Sequence, residues 1–264
     1  MGIMNDTQLD AEDRLIEDLR GAAARDEIVA YFQPQIDLLT GEIVGVESLS
    51  RWVHPALGVQ SPTVFIPLAE EFGFIDDIGD VMLHESCVYA AELAERQREI
   101  TVAVNVSALQ LARASFFQHL EDCIAENHLG VDAITLEITE SRLIANRPLA
   151  SERLSKVRRM GIGVSIDDFG VGHSSVEQVL SLPANELKID RTIVQDESAS
   201  DGALLTTIVR LARDRGLRTV AEGIETEAQL ARVREVGCDR AQGYLIGRPM
   251  PKNELDALLN VKFG

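Results

Sequence analysis

Asp167 and Asp168 stand side by side where the apolar run VSI ends and the glycine-rich stretch FGVGHSS begins. Adjacent like charges repel, and a folded chain keeps such a pair when a cation or ordered water relieves the repulsion. Other polar residues hold the equivalent place, just where an apolar, β-branched run stops: Glu47, Asn105, Glu137, Lys188 and Glu222. Any one of them is most simply a solvated strand end, but together with Asp167 they point to one shared rim. Carboxylates and an asparagine amide are hard oxygen ligands, which suit Mg2+ or Mn2+ better than zinc, and no histidine falls at a strand end. Two such ions about 3.5–4 Å apart serve in-line hydrolysis of a phosphoester by activating water and stabilising the departing alkoxide. The adjacent aspartates either hold one ion each or share a pair. Lys188 is the sole cation of the set. It has two candidate roles, a general base of lowered pKa or a donor that positions the attacking water.

A rim requires strands that end together. Apolar alternation and β-branched content predict strands near 28–38, 42–49, 100–106, 133–138, 162–167, 186–190, 218–222 and 240–246. Helical spacing of apolar residues marks 64–72, 76–97, 107–128, 147–160, 174–181, 202–215 and 226–236. Gly130, Gly161, Gly216 and Gly237 suit helix C-caps ahead of the next strand. Strands alternating with helices imply parallel pairing, and eight of them predict a closed α/β barrel of the TIM (β/α)8 type, with its functional face at the C-terminal rim. An open doubly wound sheet is the structural alternative. Only LTG separates the first two strands, too little for a parallel crossover, so the first strand must be antiparallel and the barrel a modified one.

Composition narrows the partners. The 264 residues carry Lys+Arg 25 against Asp+Glu 43, a net charge of −18, with 45% hydrophobic content and a mean hydropathy of +0.02. Such a chain can bury a sizeable core in one large domain. Its charge argues against duplex nucleic acid or anionic lipid as partners, since both need a basic face. A phosphate substrate would need bound metal to invert the local field. Apolar runs are broken by charge well short of the ~18 residues of a membrane span, and no apolar signal core follows the first residues. We therefore expect no direct membrane insertion and a cytoplasmic location. Cys87, Cys123 and Cys238 lack paired spacing and read as small buried thiols rather than a disulfide or zinc framework. The DFG of 168–170 lacks the glycine-rich nucleotide loop and HRD segment that accompany it in protein kinases. His54 and His173 read as hydrogen-bonding or packing groups. Residues 1–27 form an N-terminal helix or linker, amphipathic over 6–25, that either packs on the barrel or joins an upstream sensory domain; 28–264 form the barrel.

The ordered segments YFQPQIDLLTGEIVGVESLSRW, FIPLAEEFGFI, NVSALQL, LEITES, IDDFGVGHSS, LPANELKIDRTIV, AEGIETEAQL and AQGYLIGRPMP, spread over about 28–251, resemble the EAL family of cyclic-di-GMP phosphodiesterases. The resemblance implies a modified TIM barrel with one antiparallel strand. It also implies hydrolysis of one phosphodiester bond of cyclic di-(3′,5′)-GMP to linear pGpG, with two divalent cations, Mg2+ or Mn2+, in bacterial second-messenger signalling. On this likeness Glu47, Asn105, Glu137, Asp167 and Asp168 are metal ligands, Asp167 is the bridge, and Glu222 completes the second metal's surroundings. Lys188 positions or deprotonates the water, Gln33, Arg51 and Gln242 face the substrate with Arg51 on a phosphate, and Glu140 braces the loop after Asp168. The family also implies a homodimer, with the helix after that loop near the interface.

The departures from the family pattern are few. The name motif here is Glu47-Ser48-Leu49 rather than Glu-Ala-Leu, and on an alternating strand Ser48 should face away from the side of Glu47. Val171 and His173 stand where the family has threonine and tyrosine, which bears on how firmly the loop presents its aspartates. The alternative to an enzyme is a catalytically weak or silent receptor module for cyclic-di-GMP. Such modules lose acidic ligands or the lysine, and this chain keeps them all.

Overall fold

The computed structural model describes residues 6–140, 143, 146–171, 176–196 and 199–262, so Gly172 and His173 lie outside the described residues. The strands are β1 (Ile28–Asp37), β2 (Ile43–His54), β3 (Gly58–Gln60), β4 (Thr101–Asn105), β5 (Ile134–Thr139), β6 (Gly163–Phe169), β7 (Glu186–Ile189), β8 (Arg218–Ala221), β9 (Arg240–Gln242) and β10 (Met250–Pro251). Eight of them, in the order β2-β4-β5-β6-β7-β8-β9-β1, close into a barrel through the β1–β2 pairing. From β2 round to β9 every pairing is parallel, and β1 is antiparallel to both of its neighbours. The expected modified TIM-type α/β barrel is therefore present. The short β3 and β10 only extend β2 and β1.

A period of two along each strand decides what faces the barrel axis. Val46, Val102, Leu136, Ile166 and Leu187 are each 0% exposed and pack into the apolar layer between strands and helices. Each such side chain contributes about 1.5–3 kcal/mol on burial. The residue after each of them, respectively Glu47, Ala103, Glu137, Asp167 and Lys188, then points inward. The alternation that builds the core thus also delivers the polar residues to the barrel mouth.

Several boundaries differ from the sequence reading. The second strand runs to His54 rather than 49, because the polar Ser50 and Arg51 mask an alternation that continues through Trp52, which is itself 0% exposed. The last barrel strand ends at Gln242, since Gly243 begins a turn closed by Gly247 N donating to Gly243 O. The segment 107–128 divides into α4 (Ala108–Leu111) and α5 (Ala114–Glu126), after α1 (Asp6–Leu19), α2 (Pro62–Phe72) and α3 (Ile75–Glu95). Gly161, Gly216 and Gly237 take left-handed backbone after their helices as expected. Gly130 does not: its φ is −63°, and His128, at φ 53°, makes the left-handed turn instead. Helix Lys252–Lys262, which packs on β1, was not expected.

The N-terminal helix is fastened to the barrel. His54 Nδ1 accepts from the Ala56 and Leu57 N–H groups, which leaves Nε2 to donate to Asp18 of α1 at 3.1 Å. Among the described residues no helix is long and apolar enough to cross a membrane, and the three cysteines are buried free thiols.

Candidate active site

Strand register assembles the rim. The antiparallel β1–β2 ladder sets Gln33 opposite Glu47, β4–β5 sets Asn105 beside Glu137, and β5–β6 sets Thr139 beside Asp167. Lys188 follows on β7, and Glu222 lies just past β8, its N–H held by Ile189 O at 3.0 Å. Four of these carboxylates meet at one ammonium. Lys188 Nζ lies 2.9 Å from Glu222 Oε1, 3.0 Å from Glu137 Oε2, 3.1 Å from Asp167 Oδ1 and 3.2 Å from Glu47 Oε2.

Amides hold Glu47 on its other side. Asn105 Nδ2 donates to Glu47 Oε1 at 2.8 Å, and Gln242 Nε2 donates to Glu47 Oε2 at 2.6 Å and to Gln33 Oε1 at 2.9 Å. Gln35, which the sequence reading missed, donates to Gln242 Oε1 at 2.8 Å and fixes that amide's orientation. Its signal was available: Gln33 and Gln35 are two apart on one strand and so share a face. Arg51 lies four residues along β2 from Glu47, with its guanidinium 5.4 Å from the centre of the Tyr31 ring. Ser48 turns outward, where it accepts from Ser86 Oγ of α3 at 2.8 Å.

Burial and crowding set the charges. Desolvation alone would lower Lys188, but the four surrounding carboxylates hold its ammonium well above the ordinary range. With these four carboxylates around it, Lys188 is a charged donor. Burial followed by repulsion from Glu47 raises Glu137 well above the usual carboxylate value. Burial raises Asp167 despite Lys188, and pushes Glu222 up to about 8 with repulsion from Asp167 and Glu47 added. Asp168 is pushed up to about 6 by burial and by Asp167 beside it. Burial also works against Glu47, but Lys188, Gln242 and Asn105 together hold it below its ordinary value.

One ammonium does not neutralise this group of carboxylates, and the unmet charge has a geometry. Glu47, Glu137 and Asp167 bring ligand oxygens within 4.8 Å of one another, and so do Asp167, Asp168 and Glu222. Asp167 belongs to both sets. Glu137 Oε1 is buried with no hydrogen-bond partner, a strong acceptor left unpaired. All of these donors are hard oxygens, and the set fits Mg2+ or Mn2+.

Near the end of β6, Asp168 takes φ 56°, with its N–H donating to Asp167 Oδ1 at 2.9 Å. Gly170 follows at φ 113°, where an added Cβ would stand 2.2 Å from Ile193 Cδ1, so only glycine fits. Its N–H donates to Glu140 Oε2 at 3.2 Å, while the Val171 side chain is exposed. Two cavities flank Glu47. One of about 390 Å³ reaches from Asn105, Glu137, Asp167 and Asp168 to Ile66, Pro67, Ile78 and Met82 of α2 and α3. The other, of about 200 Å³, is lined by Gln33, Glu222, Gln242, Arg191 and Tyr244 among others.

A family model described as EAL domain matches residues 16–249. The bifunctional diguanylate cyclase/cyclic di-GMP phosphodiesterase MucR of Pseudomonas aeruginosa is 40% identical over 245 residues, which cover 92% of this chain and 36% of MucR. The cyclic di-GMP phosphodiesterase RocR of the same organism is 36% identical over 228 residues, 86% of this chain and 58% of RocR. The chain thus spans little more than a third of the first relative and under two thirds of the second. A solved structure of the MucR phosphodiesterase in complex with c-di-GMP superposes with a TM-score of 0.87 at 39% identity, covering 92% of this chain and 99% of that one.

Proposed function

The chain belongs to the EAL domain family, and from that premise we propose that it hydrolyses one phosphodiester bond of cyclic-di-GMP to give linear pGpG in bacterial second-messenger signalling. The observation that carries this reading is the pair of overlapping carboxylate sets joined at Asp167. Divalent cations on this rim would activate the attacking water and stabilise the departing alkoxide. Glu47, Asn105, Glu137 and Asp167 would hold one cation, and Asp167, Asp168 and Glu222 the other.

The chain's own residues do the rest. Lys188, held as an ammonium in the barrel mouth, donates to the attacking water and aims it. Gln33 and Gln242 line the cavity on one side of Glu47 and orient one end of the dinucleotide, while the larger cavity takes the other. Arg51 meets a phosphate from the same face of β2 as Glu47. Glu140 braces the backbone that presents Asp168. The receptor alternative has no observation in its favour, because every acidic ligand and the lysine are present and converge. We further place the protein in the cytoplasm as a homodimer, with helix Val176–Leu180 near the interface and an upstream sensory domain joined through α1.

Product analysis tests the activity. Purified protein with Mn2+ and cyclic-di-GMP is expected to yield pGpG by chromatography and to stop on addition of a chelator. Binding of the dinucleotide without product over hours at micromolar protein would replace the enzyme with the receptor module.

A further inference from the structure

Asn105 is neither charged nor buried, so its place on the rim has to be imposed by its surroundings. Its strand ends there: Val106 N donates to Glu137 O at 2.8 Å, and the chain then leaves the sheet. The next residue, Ser107, caps α4 in a reciprocal capping box. Its hydroxyl accepts from Leu109 N at 3.3 Å, and its own N–H donates to Gln110 Oε1 at 3.1 Å. The same hydroxyl donates to Glu70 Oε1 of α2 at 2.5 Å.

Gln110 is 4% exposed, and its amide sits in a notch of α3. A Cβ built on Gly79 would stand 1.8 Å from Gln110 Nε2 and 2.7 Å from its Cδ. Glycine is disfavoured inside a helix, and α3 carries one at the position where this amide needs the space. Gly79 and Gln110 both line the larger cavity beside the rim.

We infer that Gln110, admitted by the missing side chain of Gly79, is a positioning residue that fixes the turn after β4 and so aims the Asn105 side chain at Glu47. The reading of Asn105 as a cation ligand comes from the function proposed above, but the aim itself can be measured without metal. Loss of a group that orients a ligand typically weakens metal binding 10–100-fold.

The experiment follows the side-chain amide resonances of Asn105 in the metal-free, 15N-labelled protein, assigned through Asn105→Asp. Gln110→Ala is expected to shift them away from their wild-type position. Gln110→Glu, which keeps an acceptor for Ser107 N–H, should leave them in place. The atoms nearest the Cβ of Gly79→Ala belong to the flexible end of Gln110, so this variant should reproduce the shift, and the double variant Gly79→Ala/Gln110→Ala should go no further. Mn2+ titrations should then show affinity falling about 10-fold or more in Gln110→Ala and Gly79→Ala but not in Gln110→Glu. Unchanged Asn105 resonances and Mn2+ affinity in both variants, with only a lower melting temperature, would make Gln110 a plain helix cap and overturn the inference. If the wild-type protein binds no Mn2+ at all, the cation reading fails, and the Asn105 resonances alone decide the positioning.

Discussion

Removing Lys188 should be tolerated poorly by the metal-free protein and well by the metal-loaded one. Its side chain is 1% exposed, and its ammonium lies within 3.2 Å of four carboxylate oxygens. At an effective dielectric of ~20, a single contact at 3 Å amounts to about 5 kcal/mol. Desolvation of the five groups and the mutual repulsion of the carboxylates offset most of this. What remains measurable is the cost of leaving buried charges without their partner, about 3–5 kcal/mol. For a domain of this size, each kcal/mol moves the melting temperature by about 2–4 °C, so Lys188→Ala should lower it by about 6–20 °C at pH 8 with chelator present. The loss should shrink at pH 5.5, where protons relieve the carboxylates, and Mn2+ should restore much of it by supplying positive charge to the same oxygens. Calorimetric melts at both pH values, with and without Mn2+, measure all three effects. The same variant should bind cyclic-di-GMP and lose most turnover, because in the proposed mechanism the lysine acts on water rather than on the ligand. A Lys188→Ala protein that melts with the wild type at pH 8 in chelator would show that the rim carboxylates are not held charged by this ammonium.

Further outcomes follow from the same geometry. Glu222, pushed up to about 8, and Asp168, pushed up to about 6, keep protons in the folded state that the unfolded chain releases near its ordinary carboxylate values. The metal-free protein should therefore lose stability as pH rises from 5 to 8, and Mn2+ should flatten the profile in urea melts. Glu140→Ala should lower kcat about 10-fold or more with little change in KM, because it frees the Gly170 N–H and loosens the turn that presents Asp168. Val171→Thr, which adds a hydroxyl beside the same turn, should raise kcat in the same steady-state assay. Ser48→Ala should leave kcat unchanged but cost about 1–3 kcal/mol in denaturant melts, since it strands the buried Ser86 hydroxyl.

The strand ends were legible because one pattern served two purposes. An outward apolar residue such as Val46 or Leu136 marks the strand, and the next residue, Glu47 or Glu137, is thereby aimed at the axis. The three-residue link LTG likewise forces β1 to run antiparallel, whatever the family likeness. Less visible were contacts between residues far apart in the chain. Gln35 bonds Gln242 across 207 positions, and Ser107 bonds Glu70 across 37. Neither partner carries a charge pattern or spacing that names the other. The state of Lys188 was also hidden: beside Leu187 and Ile189 it reads as a lone cation, and only the closed barrel brings it within reach of four carboxylates. Gly130 misled for a local reason, since His128 accepts the left-handed conformation that glycine usually supplies.

Everything proposed for the activity depends on the rim of Glu47, Asn105, Glu137, Asp167, Asp168 and Glu222 holding the cations. Crystals grown with Mn2+ and measured at the manganese absorption edge test it most directly. Two anomalous peaks are expected within ligand distance of Asp167, one reached by Glu47, Asn105 and Glu137 and the other by Asp168 and Glu222. A difference map with no peak beside Asp167 at millimolar Mn2+, from protein that still converts cyclic-di-GMP to pGpG, would contradict it.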